Sequence, residues 1–109
     1  MGLFDSLRRK RPGTLRGAQD SDTRHLDAWA STRQGVEAYV EPRTTVTETT
    51  VVLIAHDGEW TRRRIGSLGA AQQFGRKRGI PVYEVGKVGY PQRMRDYTQR
   101  MKRSQGGPS

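Results

Sequence analysis

Val51-Val52-Leu53-Ile54-Ala55 is the only continuous apolar run in the chain, and it limits the fold more than any other feature. β-Branched residues dominate it, and they favour the pleated backbone of a strand. A run with no polar face must be covered on both sides. The sequence therefore predicts a central strand, drawn from a Thr- and Val-rich stretch that begins at Thr44 and ends near His56.

Local signals place the other elements around it. Asp22 caps a short amphipathic helix over Thr23 to Gln34, with Leu26, Trp29 and Ala30 on one face and Gly35 closing it. The stretch VEAYVEP alternates as a half-buried strand and stops at Pro42. Asp57-Gly58 predicts a two-residue hairpin leading into a strand from Trp60 to Ile65. Ser67 caps a helix over Leu68 to Arg78, with Leu68, Ala71, Phe74 and Gly75 on one face and Gly79 at its end. IPVYEV is a short strand, which the intervening helix should join to the preceding one as a right-handed parallel βαβ unit. Pro91 opens a last helix from Gln92 to about Arg103, with Met94, Tyr97 and Met101 on one side and Arg93, Asp96, Arg100 and Arg103 opposite. The order is α-β-β-β-α-β-α, an α+β fold on a small mixed β-sheet. Residues 1–21 are expected to be a flexible basic leader and linker, 22–103 a single domain, and 104–109 a disordered tail.

Length and composition restrict what such a domain can do. A chain of 109 residues is about one domain. With 32% apolar and 28% charged residues, its core leaves no room for a large enclosed cavity. The absence of cysteine excludes disulfides, thiolate catalysis and Cys-ligated zinc. No apolar run approaches the ~20 residues of a membrane span, and a cytoplasmic location is expected. Sixteen arginines against four lysines fit a GC-rich bacterial genome.

The formal charge of +9 is unevenly distributed. Residues 1–16 carry +4, from five basic and one acidic side chain; residues 17–59 carry −5, from three and eight; residues 60–109 carry +10, from twelve and two. A basic half of this kind attracts polyanions. Its densest stretch is DGEWTRRR. Strand periodicity sends Trp60, Arg62 and Arg64 to one face and Thr61, Arg63 and Ile65 to the other, so each face receives a guanidinium. Unpaired buried charge is costly, which puts this strand at an edge or on an open face. There the arginines either discourage edge-to-edge pairing or grip phosphates and carboxylates, with Trp60 free to stack on a base or on Arg62. Arg76, Lys77 and Arg78, at the end of the next helix, extend the basic set and also suit the helix dipole.

At the amino terminus, Leu3, Phe4 and Leu7 precede Arg8, Arg9, Lys10 and Arg11. Either this is a disordered basic leader or it touches a membrane surface, apolar residues inserted and cations on headgroups. MGLFDS also fits the N-myristoylation pattern, which a bacterial source argues against. Catalytic constellations are thin. His56, Asp57 and Glu59 share a hairpin where turn chemistry already accounts for Asp57, and His25 lies on a polar helix face. IGSLGAAQQFG lacks the glycine spacing and the later acidic residue of a dinucleotide loop. No enzyme activity, metal or cofactor is expected.

The stretches VEAYVEPRTTVTETTVVLIAHDGEWTRRR and GIPVYEVGKVGYPQRMRDY, over about residues 35–97, resemble a group of short uncharacterised actinobacterial proteins. The resemblance implies a source and no activity. The residues themselves point to a small basic binding or adaptor protein for an anionic macromolecule, with nucleic acid ahead of an acidic protein or membrane surface. Arg62, Arg63, Arg64, Arg76, Lys77 and Arg78 are the candidate contacts. The alternative is a protein-interaction module anchored by Trp60 and Arg62.

Overall fold

A computed structural model describes residues 20–106; the leader residues Leu3 to Arg11, and residues 107–109, lie outside the described residues. The chain forms α1 (Asp20–Ser31), β1 (Glu37–Glu41), β2 (Thr50–Ile54), β3 (Trp60–Arg64), α2 (Leu68–Arg78), β4 (Val82–Glu84), α3 (Val85–Val88) and α4 (Gln92–Gly106). The fold is α+β on one mixed four-stranded sheet, in the order β3-β2-β1-β4.

β2 is central, as its composition requires: Val51, Val52, Leu53 and Ile54 are fully buried. Both its neighbours are antiparallel, with Tyr39 opposite Val52 on one side and Arg62 opposite Val52 on the other. Ala38, Val40, Val51, Leu53 and Ala55 face α1 and α2, where they meet Leu26, Trp29, Ala71 and Phe74. Tyr39, Val52 and Ile54 face the other way, onto Trp60, Val85, Tyr90 and Met94. Fully burying one such aliphatic side chain contributes about 1.5–3 kcal/mol, and β2 buries four of them.

Several boundaries differ from expectation for physical reasons. β2 begins at Thr50, because residues 44–47 close a local turn in which Thr44 N donates to Thr47 O at 2.9 Å and the two hydroxyls lie 2.8 Å apart. β1 is covered on both faces and not on one, since Ala38, Tyr39 and Val40 are all buried. The hairpin loop has three residues between the paired Ala55 and Glu59, not two. Ala55 N donates to Glu59 O at 2.8 Å, and Gly58, at φ 94°, takes the left-handed position such a loop needs. Asp22 does not cap α1 but lies inside it and is buried, with the helix starting at Asp20. α4 continues to Gly106, past the expected end near Arg103 and into the segment expected to be a tail. The short α3 was not foreseen.

The crossover is the main topological departure. β3 and β4 do run in the same direction and are joined through α2, yet β4 pairs with β1, and β2 and β1 both lie between it and β3. This register sets Val82 beside Ala38 and lets it pack on the α1/α2 side of the core, an apolar contact that the arginine-bearing edge of β3 cannot supply.

Candidate functional site

The arginine strand is an edge strand, and its residues from Arg62 to Arg64 are exposed. Each of them nevertheless meets a carboxylate from the acidic first half of the fold. Arg62 grips Glu41 at two points, Nε to Oε1 at 2.8 Å and Nη2 to Oε2 at 2.9 Å. Its guanidinium also lies 5.2 Å from the centroid of the Trp60 ring, the stacking that strand alternation predicts. Arg63 and Arg64 approach the two oxygens of Asp22 at 3.7 and 3.9 Å. Trp60 is half-buried, and its Nε1 donates to Thr98 Oγ1 on α4 at 3.3 Å.

Glu41 is the hub of this end of the sheet. Thr50 Oγ1 donates to it at 2.6 Å, and the Tyr90 hydroxyl donates to its other oxygen. Burial pushes its carboxyl pKa up, but Arg62 and the two hydroxyls together hold it below the usual carboxylate range. Glu37, at the other end of β1, is treated alike. Burial is opposed by Arg93, whose Nη2 lies 2.8 Å from Oε1, and by the Tyr39 hydroxyl at 2.8 Å, and the result is again a lowered value. The same burial, with Glu37 as neighbour, pushes Tyr39 up to about 12. Arg93 therefore faces the sheet and not solvent, its Nε also bonding Ala55 O at 3.0 Å.

Arg76, Lys77 and Arg78 end α2, which begins at Leu68 and spans about 16 Å. Arg78 lies over Phe74 at 3.9 Å and holds Asp27, with Nη2 to Oδ2 at 2.9 Å. Arg76 and Lys77 are exposed and form no ion pair with a described carboxylate. The hairpin residues do structural work. Asp57 Oδ1 accepts from Glu59 N at 3.0 Å, and Glu59 takes a two-point contact from Arg33, at 3.1 and 2.7 Å. His25 is not on an open polar face: its Nε2 lies 2.7 Å from Thr61 Oγ1, and burial, with Arg63 nearby, lowers its pKa. Among the described residues no group of three His, Asp or Glu side chains is arranged to hold a metal ion, and no helix is long and apolar enough to cross a membrane.

Arg24, Arg43, Arg76 and Lys77 are exposed without an ion pair to a described carboxylate, but the densest set of this kind is on α4, expected from its sequence to be an ordinary amphipathic helix. Its first half docks on the sheet through Met94, Arg93 and Thr98. From Gln99 to Ser104 every residue is exposed. Arg95, Lys102 and Arg103 have no ion pair with a described carboxylate, and Arg100 spends one N–H on the Asp57 carbonyl at 3.0 Å while lying over Tyr97. Asp96, the one acidic residue of the helix, is held by Gln92 at 3.0 Å. The sequence signal was available: four cations in nine residues, 95–103, facing no acidic residue but Asp96. No family model, curated protein or solved structure matches the chain, so geometry carries the functional reading.

Proposed function

We propose that the chain is a non-enzymatic binding module for an anionic macromolecule, nucleic acid, and that α4 is the element that engages it. The observation that carries this reading is the second half of α4, exposed on all sides and bearing Arg100, Lys102 and Arg103 with no acidic residue. A helix about 10–12 Å wide matches a duplex major groove of about 12 Å, and cations on several sides of it reach phosphates on both walls. Trp60 and Arg62, at the root of the helix, are already committed to Thr98 and Glu41, so the contact is dominated by charge and is weakly sequence-specific.

The test is a salt titration of binding to unrelated duplexes. If four cations each neutralise a phosphate, log affinity falls with log salt with a slope of about −3.6. Binding weaker than about 100 μM at physiological salt rejects the reading. A second reading, a protein contact through the edge of β3, is supported by the Trp60 and Arg62 stack, which presents a planar cation at an exposed strand. It predicts partner capture that survives high salt.

A further inference from the structure

Beyond the basic helix, the opposite side of the sheet carries a small cleft at the carboxyl ends of β1 and β4, where α2 begins. Its volume is about 340 Å³, and Val40, Pro42, Arg43, Thr49, Leu68 and Glu84 line it. Clefts outside the carboxyl ends of strands, beside a helix N-terminus, are where open sheets commonly bind small molecules.

Three features of this cleft await partners. Thr49 is only 8% exposed, and its hydroxyl has no hydrogen-bonding partner among the described residues. It directly precedes β2, its carbonyl accepts from Ile65 N at 3.1 Å, and its buried side chain lines the cleft. A buried hydroxyl without a partner is rare and calls for one. At the start of α2, Ser67 Oγ accepts from Ala70 N at 3.0 Å and Ser67 O accepts from Ala71 N at 3.0 Å, which leaves the N–H groups of Leu68 and Gly69 free at the positive end of the helix dipole. Arg43 forms no ion pair with a described carboxylate and lies on the same rim. These groups ask for an anion.

Glu84 limits what kind. It pairs with Val40 in register and lines the same cleft, and although it is the N-cap residue of α3 its side chain makes no capping hydrogen bond; its one ion pair, to the exposed Lys87 at 3.4 Å, is weak. A phosphate would face this carboxylate. A molecule with a positive group at that end would not. Thr49 directly precedes β2 and Glu84 ends β4; two strand spacings across and two residues along the strands set their backbones about 12 Å apart, and both side chains line the cleft and shorten the gap. A carboxylate and an ammonium on one carbon, each with its hydrogen bond, bridge that distance, and Val40, Pro42 and Leu68 offer apolar walls to a side chain. We propose that this cleft binds a small zwitterion, an α-amino acid with an apolar side chain, with its carboxylate on Thr49, Arg43 and the α2 amides and its ammonium on Glu84.

The full chain should be titrated by amide NMR with L-leucine, with 4-methylpentanoate, which lacks the amine, and with 3-methylbutylamine, which lacks the carboxylate. Leucine is expected to give saturable shifts at Thr49, Leu68 and Gly69, with each analogue binding about tenfold weaker or less. Thr49→Val keeps the shape and removes the hydroxyl; it should weaken leucine about tenfold while leaving the melting temperature unchanged or higher. Arg43→Gln, in an exposed loop, is the second variant and should weaken leucine and the carboxylate analogue alike. The proposal fails if leucine gives no saturable shifts up to its solubility, which would mean that water satisfies the hydroxyl. It also fails if either analogue binds as well as leucine, or if both variants leave binding unchanged. Nucleic-acid binding by α4 is a separate result and changes none of these outcomes.

Discussion

β3 and α4 are both cation-rich, and they differ in what sits opposite them. Arg62, Arg63 and Arg64 of β3 face Glu41 and Asp22, while Arg95, Arg100, Lys102 and Arg103 of α4 face no carboxylate in an ion pair. The acidic stretch from Asp20 to Glu59 and the basic stretch after it are thus joined by internal pairs: Glu41 with Arg62, Asp22 with Arg63 and Arg64, Asp27 with Arg78, and Glu37 with Arg93. A run of like charges in a sequence can be a fastener between halves of a fold. Only the cations left over after that pairing are available to a ligand.

The largest expected effect separates the two elements directly. Changing Arg100, Lys102 and Arg103 together to Gln should reduce duplex affinity about 100-fold at physiological salt and flatten the salt slope by about 2.7 units, with little change in stability. The matching triple change in β3 should move the slope by less than one unit. If the β3 variant loses more affinity than the α4 variant, the comparison is inverted and the edge strand is the site.

Gly58 gives the next effect, because it is where α4 docks on the hairpin. A Cβ there would lie 2.0 Å from Arg93 O and 2.9 Å from Tyr97 Cβ, on a residue with φ 94°. Gly58→Ala should cost roughly 2–4 kcal/mol, from left-handed strain and overpacking, and should lift α4 off the sheet. Thermal melting reads the first consequence, and faster tryptic cleavage within residues 93–103 reads the second.

Glu41→Gln sharpens the contrast from the opposite direction. It should destabilise the fold by about 1–2 kcal/mol, since Arg62, Thr50 and Tyr90 lose a charged acceptor, yet raise nucleic-acid affinity a few-fold by releasing Arg62. Denaturant melts and the same salt titration check both signs.

Smallest is the pH effect of the two strand glutamates. Both hold their protons less tightly in the folded chain than in the unfolded one, so their stabilisation is complete above about pH 4.3 and is lost as pH falls through the lowered folded values. His25 acts in the same sense nearer neutrality: its lowered value makes the unfolded chain the better proton acceptor below about pH 6.5. Stability measured against pH should therefore decline slightly below about 6.5 and more steeply below about 4.3; Glu41→Gln should remove part of the steeper decline.

Much of the fold was legible because it rests on local chemistry. The Val51 to Ala55 run marked the central strand, Ser67 and Gly79 marked the ends of α2, and two guanidinium-bearing faces marked β3 as an edge. The candidate site was less legible. Strand alternation gave Arg62 on Trp60, but Glu41 and Asp22 lie 21 or more residues away from their arginines, and no periodicity connects them. Arg93 and His25 were misplaced for the same reason: residues brought up by long-range packing decide whether a polar side chain is inside or out. The pairing of β4 with β1 belongs to this class, because a helix of α2's length can return the chain to either open edge.

That strand order also has a consequence for the chain as it is being made. β1, β2 and β3 form a meander whose pairs close through short loops, and they can assemble once residue 64 has emerged. Their outer edge at β1 then has unpaired backbone groups beside buried Ala38, Tyr39 and Val40 until Val82 to Glu84 arrive to cover it. Through the synthesis of α2, a newly emerging chain therefore offers an apolar strand edge to neighbouring chains, the kind of exposure that recruits holdase chaperones and seeds aggregation.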